Sequence, residues 1–389
     1  MLDELSKRQI QEGPENADET CHLHRGSAPA PQATRAESIR TAIGVVEKSN
    51  RADLEAIKFR QRVLVDISKR DLSTTILGEP ASMPLILAPV GLLGMQHGDG
   101  EIIACRVAQA AGIPFTLSTM SICSIEDVAA NVAKPFWFQL YVMKDRGFIK
   151  ALIERAIAAK CSALVLTVDL PFLGQRHADI KNGMTVPPEW TLSKFIDFAT
   201  KPAWVAGVLR GKRRTFGNIA GHIKGTDDIT ALGRWTATQF DTTLNWKDVD
   251  WIRSIWPGKL ILKGILDVED ANEAVKTGAQ ALVVSNHGGR QLDGAPETIE
   301  ALPEIVDAVG SRMEIMFDSG VRSGQDVMRA LALGAKSCMI GRAYVHGLGG
   351  GGEAGVAKAI DLIANELSTT MGLCGVNSIA EIDDHVIAV

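Results

Sequence analysis

Ser285-Asn286-His287-Gly288-Gly289-Arg290 places an imidazole beside two glycines and a guanidinium, directly after the apolar run Ala281–Val284. Imidazole exchanges protons near neutral pH. Glycine lets a backbone approach a ligand closely, and a guanidinium meets an anion through paired hydrogen bonds. His287 is therefore a candidate general base and Arg290 a candidate anchor for an anionic substrate. A hydrogen-bonded histidine in a glycine turn is the plainer reading, and it suits a lone His better than this whole pattern. A carboxylate on the far ring nitrogen would orient such a base and stabilise its protonated form. Asp169, at the end of the apolar run Ala163–Asp169, is the candidate, with a helix cap as its alternative role. Arg176 follows in Pro171-Phe172-Leu173-Gly174-Gln175-Arg176 and offers a second guanidinium to one small carboxylate, although solvated surface is the commoner use of an isolated Arg.

Lys263 ends another apolar run, and an ammonium facing an enclosed space is costly unless an anion or polar group meets it. A flavin suits this position, because reduction places negative charge on its N1–C2 carbonyl side. A Schiff-base lysine is the competing role. Asp318-Ser319-Gly320-Val321-Arg322 and Gly341-Arg342 end two further runs and point to a phosphorylated ligand. Gln139 and Thr167 could bond the edge of a heterocycle. Tyr141 could bond a substrate oxygen or simply fill the interior.

These residues need a scaffold that brings strand ends to one rim. Eight short apolar runs recur from residue 84 onward: Pro84–Ala88, Pro114–Ser118, Phe136–Leu140, Ala163–Asp169, Lys259–Lys263, Ala281–Asn286, Glu314–Asp318 and Ser337–Gly341. Runs without polar alternation are what parallel strands buried on both faces require. Between them lie segments with helical spacing, such as Gly100–Ala111, Ser124–Val132, Asp145–Lys160 and Asp267–Thr277. Gly112, Gly278 and Gly334 sit where helices should stop. Eight βα units predict a (β/α)8 TIM barrel, whose active sites gather at the C-terminal ends of the strands. Two regions fall outside the repeat. Residues 1–57 form an N-terminal segment with no Phe, Trp or Tyr, expected to be partly disordered, and residues 58–389 form the barrel. A long insertion, about residues 173–241, separates the fourth and fifth strands, and an insertion of that size is usually functional or partly disordered.

The chain has 389 residues, 46% hydrophobic and 22% charged, with a net charge of −5. That balance suits a soluble globular protein and argues against general nucleic-acid binding, which needs a basic footprint. Its six cysteines (Cys21, Cys105, Cys123, Cys161, Cys338, Cys374) are scattered without metal-ligand spacing, so no metal site is expected and buried thiols in a reducing compartment are. The charged stretch Met1–Gly13 argues against a cleaved secretory signal, which makes the cytoplasm the expected location. Trp204, Val205, Val208 and Leu209, followed by Arg210, Lys212, Arg213 and Arg214, make a basic, apolar patch that could lie on an anionic membrane surface or form a solvated loop.

The stretches Leu87–Met95 (LAPVGLLGM), Trp137–Val142 (WFQLYV), Leu166–Arg176 (LTVDLPFLGQR), Leu262–Leu266 (LKGIL), Ser285–Gly294 (SNHGGRQLDG) and Ser319 with its neighbours (DSGVRSGQD, 318–326) carry a resemblance. From about Asn50 onward the chain resembles the FMN-dependent 2-hydroxy acid dehydrogenases and oxidases. Phe115–Glu126 and Tyr141–Phe148 look most like the bacterial respiratory L-lactate dehydrogenases. The resemblance implies FMN held by Pro89, Val90 and Gly91, by Ser118, Gln139 and Thr167, by Lys263, and by Asp318, Gly320, Arg322, Gly341 and Arg342 around ribityl and phosphate. It implies a substrate carboxylate on Arg176 and Arg290 and a hydroxyl oxygen near Tyr141 and His287. His287, helped by Asp169, would take a proton as a small L-2-hydroxy acid becomes a 2-keto acid. Electrons would leave reduced FMN for a quinone, a cytochrome or oxygen. Peripheral contact with the cytoplasmic face of the inner membrane and a homo-oligomer, a tetramer or larger, are implied in the same way.

One departure stands out. The family carries a second substrate tyrosine in an aromatic, glycine-rich segment just before the position of Asn50, whereas this chain has only Tyr141 and Tyr344 and residues 14–49 match nothing in the pattern. The expected consequence is weaker carboxylate binding and lowered activity with FMN retained. A rival reading from another class follows, a catalytically impaired flavin-binding remnant. Other barrel enzymes fit less well. A type 2 isopentenyl diphosphate isomerase has no need of paired arginines around a His base, and an IMP dehydrogenase needs a loop cysteine that the scattered thiols do not offer.

Overall fold

All eight apolar runs form strands of one parallel sheet, in the order β3-β10-β9-β8-β7-β6-β5-β4. The strands are β3 (Leu85–Leu87), β4 (Thr116–Ser118), β5 (Trp137–Tyr141), β6 (Ala163–Thr167), β7 (Lys259–Ile265), β8 (Ala281–Val284), β9 (Glu314–Phe317) and β10 (Ser337–Ile340). A parallel bridge between Leu87 and Phe115 joins β3 to β4 and completes the ring. The structure is a computed structural model that describes residues 45–172, 174, 199–211, 213–222 and 229–388.

Helices follow the strands. They are α1 (Val45–Ala56), α2 (Gly100–Ala110), α3 (Ile125–Ala129), α4 (Arg146–Ala158), α5 (Pro202–Arg210), α6 (Ile229–Gln239), α7 (Trp246–Ile255), α8 (Val268–Lys276), α9 (Thr298–Val309), α10 (Gly324–Ala332) and α11 (Arg342–Cys374), the last broken by a kink at Gly352. Helices α2, α8 and α10 each end two residues before Gly112, Gly278 and Gly334, as the spacing predicts. Ser323 begins α10 with a capping box, accepting from Asp326 N while the Asp326 carboxylate accepts from Ser323 N. Helix α1 lies within the segment read as partly disordered; residues 1–44 lie outside the described residues. So does nearly half of the insertion, residues 173, 175–198, 212 and 223–228.

Alternation along each strand sorts the side chains into two cores. Cys338 and Ile340 of β10, like Leu164 and Leu166 of β6, face the helices. Ile86, Trp137, Val165, Ile261, Val283, Met316 and Met339 fill the barrel interior. An antiparallel hairpin, β1 (Thr74–Ile76) with β2 (Glu79–Ala81), contributes Ile76, Leu77 and Ala81 to the interior cluster. Leu77 N donates to Glu314 Oε2 at 2.9 Å, at the N-terminal end of β9, so the hairpin plugs the barrel floor. The residues singled out in the sequence as ligand-binding lie at the opposite rim, at the C-terminal ends of the strands. Cys105, Cys123, Cys161, Cys338 and Cys374 are buried free thiols, and burial pushes Cys105 and Cys161 up to about 12, so they are inert packing groups. No described helix is long and apolar enough to cross a membrane.

Candidate active site

Strand register sets one layer of the rim. Tyr141 pairs with Thr167, and Thr167 with Lys263, so three neighbouring strands present a phenol, a hydroxyl and an ammonium at one level. One level below, Gln139 is fully buried. Its Oε1 accepts from Ser118 Oγ at 3.0 Å and from Thr119 N at 3.3 Å.

Lys263 is 4% exposed, and its Nζ lies 2.6 Å from Asp318 Oδ2 and 2.8 Å from Ser285 Oγ. Ser285 Oγ in turn donates to Asp318 Oδ2 at 2.8 Å. Burial would raise the Asp318 carboxyl, but the Lys263 charge, with hydrogen bonds from Lys263, Ser285 and Ser319, outweighs it and holds the group below its ordinary value. Strands β7, β8 and β9 are thus tied by one ionic network at their C-terminal ends.

His287 follows β8 with a left-handed backbone, φ 59°, an uncommon conformation that His tolerates better than most residues. Its backbone N donates to Ser285 Oγ at 3.1 Å, and Ser319 Oγ receives Asn286 N at 3.3 Å and Gly288 N at 3.0 Å. Beneath the turn, Asn286 and Asn50 exchange side-chain amide bonds of 2.9 Å in both directions. These contacts fix the imidazole. Its Nδ1 lies 2.9 Å from Asp169 Oδ1, and its Nε2 lies 3.5 Å from the Tyr141 hydroxyl. Asp169 Oδ1 therefore accepts the Nδ1 proton, which leaves Nε2 as the acceptor facing Tyr141.

Arg322 and Arg342, after β9 and β10, converge on the carboxylate of Glu47, the first at 3.5 Å and the second in direct contact. Burial lowers the Arg342 guanidinium, Glu47 opposes that shift, and the charges of Arg322 and Arg290 add to it. Three guanidinium groups therefore sense one another at this edge of the rim. Gly320 lies against α1, where an added Cβ would stand 3.0 Å from Asn50 O. Pro89, Val90 and Gly91 follow β3, and Gly341 sits opposite Val90. Arg176 lies outside the described residues.

Residues 40–389 match the family described as FMN-dependent dehydrogenase. The chain is 48% identical over 342 residues to the L-lactate dehydrogenase of Ectopseudomonas mendocina, covering 87% of this chain and 90% of that one. The L-lactate dehydrogenase of Xanthomonas campestris pv. campestris is also 48% identical, over 88% of each chain. Among solved structures, the monotopic membrane protein (S)-mandelate dehydrogenase superposes with a TM-score of 0.84 at 34% identity, covering 89% of this chain and 91% of the other. The chain belongs to the FMN-dependent dehydrogenases. It is an oxidoreductase and its cofactor is FMN.

The rim of this dehydrogenase fits that cofactor. Gln139 Nε2 and Thr167 Oγ1 are buried without a hydrogen-bond partner among the described residues, and an unpaired buried polar atom costs free energy unless a ligand meets it. Thr167 pairs directly with Lys263 across β6 and β7, and Gln139 lies one level below on β5, so both unmet groups belong to the strands that carry the buried ammonium or neighbour it.

Sequence reading passed over Ser285, Ser319, Asn50 and Gly264. The first two are small hydroxyl residues inside motifs already singled out, and their position at strand ends was the available signal. Gly264 shows itself only in three dimensions. It lies at φ 107°, at a register shift in β7 between Lys263 and Ile265. A Cβ there would lie 2.6 Å from both Cβ and Cγ of Asp169. Replacing Gly264 with Ala is expected to push Asp169 off Nδ1 and slow flavin reduction by about a hundredfold, the scale of a misplacement near 1 Å. In an Asp169→Ala background the same change should cost little more. An equal loss in both backgrounds would trace the effect to Lys263 instead.

Proposed function

We propose that this FMN-dependent dehydrogenase oxidises a small L-2-hydroxy acid, L-lactate foremost, to its 2-keto acid, with His287 as the base. The observation that carries the reading is the Asp169–His287–Tyr141 line, with Nδ1 held by a carboxylate and Nε2 turned to the rim. The names of the bacterial relatives support lactate as the substrate.

FMN, when bound, supplies a two-electron acceptor. Gln139, Thr167 and Ser118 would bond its ring edge, Lys263 its N1–C2 carbonyl side, and Asp318 and Gly320 its ribityl chain. Arg322, Gly341 and Arg342 would hold its phosphate, and Pro89, Val90 and Gly91 would bring backbone against it. The substrate carboxylate would be bound by Arg290 together with Arg176, which removes its charge from water and orients the α-carbon. Tyr141 would hold the α-hydroxyl oxygen against His287. His287 Nε2 takes a proton from the bound hydroxy acid, and the Asp169 carboxylate stabilises the imidazolium that results.

Electrons would pass on to a quinone, a cytochrome or oxygen. A peripheral membrane position fits delivery to a quinone. Helix α5 carries Trp204 and Val205, and Arg214 follows it, whereas Arg213 is taken up by Asp99 at 2.7 Å and Asp127 at 2.8 Å. The structural neighbour named as a monotopic membrane protein supports the same reading.

The test is anaerobic. Mixing the purified flavoprotein with L-lactate is expected to bleach the flavin absorbance, and a quinone in anionic vesicles should restore it faster at low salt than at high salt. Bleaching by other small L-2-hydroxy acids but not lactate would move the substrate. No bleaching by any of them would leave only the flavin-binding remnant.

A further inference from the structure

The first turn of α1 brings a carboxylate to the edge of the rim assigned above to the phosphate. Glu47 accepts from Arg342 Nη1 and stands 3.5 Å from Arg322 Nη2. Its place is fixed from several sides. An added Cβ at Gly289 would lie 2.8 Å from Glu47 N and 2.9 Å from its Cα, so α1 is seated directly on the glycine turn after His287. Val46 N donates to Asp293 Oδ1 at 3.2 Å, in the same turn. One turn along α1, Arg51 donates to Gly320 O at 2.7 Å and pairs with the buried Asp326. The other guanidinium nitrogen of Arg342 donates to Gly288 O, so this arginine bridges the helix and the catalytic turn.

Carboxylate and phosphate ask the same thing of a guanidinium, a pair of N–H donors in one plane. The Arg342 N–H given to Glu47 is not given to a phosphate, and a carboxylate left beside a bound phosphate repels it. Glu47 lies within residues 40–389, which match the family model, so the stretch without a counterpart in the family ends before α1 and not at Asn50 as the sequence suggests.

We infer that Glu47 competes with the phosphate of FMN for Arg322 and Arg342, and so sets how strongly this chain prefers FMN to unphosphorylated riboflavin. The inference rests on the assignment of the phosphate to those two arginines. Two anions cannot take the same N–H, and the guanidinium charges of Arg322 and Arg342 together exceed the single charge of Glu47. Phosphate therefore wins, but against an internal competitor. Removing the competitor's charge should strengthen phosphate binding and leave the flavin ring's contacts alone.

The experiment titrates the flavin-stripped full-length protein with FMN and with riboflavin, following flavin fluorescence, in wild type, Glu47→Gln and Arg342→Met. Glu47 is exposed and glutamine is its isostere, so the fold is not at issue. Glu47→Gln is expected to bind FMN on the order of tenfold more tightly, with riboflavin unchanged, as expected when one charge beside a phosphate is removed. Inorganic phosphate should then compete with FMN at correspondingly lower concentration. Arg342→Met should erase the preference for FMN over riboflavin. If Arg342→Met keeps that preference, the phosphate lies elsewhere and the site assignment falls, with this inference. If Arg342→Met loses it while Glu47→Gln matches wild type, only the role of Glu47 is overturned. Weaker FMN binding in Glu47→Gln, or an equal gain for both flavins, overturns it as well.

Discussion

Replacing His287 with Gln is expected to slow anaerobic reduction of the flavin by L-lactate by roughly a thousandfold, within the span that a positioned base contributes. Glutamine keeps a polar group of similar reach but accepts no proton near neutral pH, so the change removes the chemistry more than the shape. The side-chain hydrogen bonds of His287 go to Asp169 and Tyr141 and not to the groups proposed to face FMN, Gln139, Thr167 and Lys263, so flavin content should stay near wild type. Asp169→Asn tests the second half of the argument. An amide turned to donate its N–H to Nδ1 favours the proton on Nε2, where the acceptor is needed, and it removes the charge that balances the imidazolium. Most of the His287 loss should therefore appear in Asp169→Asn although every catalytic side chain in contact with substrate is intact. Stopped-flow traces of flavin reduction measure both. A His287→Gln protein that bleaches at the wild-type rate would remove the base from the mechanism.

The rim residues were readable because a closed parallel barrel leaves a strong imprint on sequence. Strands buried on both faces become unbroken apolar runs such as Leu164-Val165-Leu166 and Leu260-Ile261-Leu262, and the first polar residue after each run lies near the rim. Thr167, Lys263 and Asp318 follow from that rule before any contact is known, and His287 lies three residues past its run. Contacts across long chain separations leave no such imprint. The Asn50–Asn286 amide pair spans 236 positions, and neither residue type predicts its partner. Gly264 reads as an ordinary glycine in a strand until Asp169 is seen against it. The floor hairpin escaped notice because β1 and β2 have three residues each, too few to show a period. Helix α1 lay hidden for a related reason. Its first turn, Val45-Val46-Glu47-Lys48, looks like the polar stretch before it, and its buried face of Val46, Asn50 and Leu54 shows only against the barrel.

The Lys263–Asp318 pair leads to the other large effect. Lys263→Met keeps the length of the side chain and removes the ammonium from a site where the Lys263 side chain is 5% exposed and that of Asp318 13%. A buried carboxylate stripped of its partner is expected to cost about 3–5 kcal/mol of stability at neutral pH. The pH dependence should change sign. In the wild type the Asp318 carboxyl is held below its ordinary value by Lys263. Its contribution is therefore present at pH above the unfolded carboxyl's pKa and is lost as pH falls through the lower folded value. Without Lys263 only burial is left to act strongly on the carboxyl, and burial raises it. Protonation then relieves the cost, so acidification from neutrality should stabilise Lys263→Met relative to wild type. Lys263→Met/Asp318→Asn removes both charges and should recover most of the stability, because Ser285 can still hydrogen-bond the amide. It should not recover flavin reduction if Lys263 is, as proposed, the cation beside the ring. Urea unfolding of the three proteins across the acidic range, with flavin reduction measured in parallel, separates the two roles. A single variant within about 1 kcal/mol of wild type, the level of an exposed pair, would mean that Lys263 and Asp318 are solvated and do not form the buried ionic floor of the cofactor site.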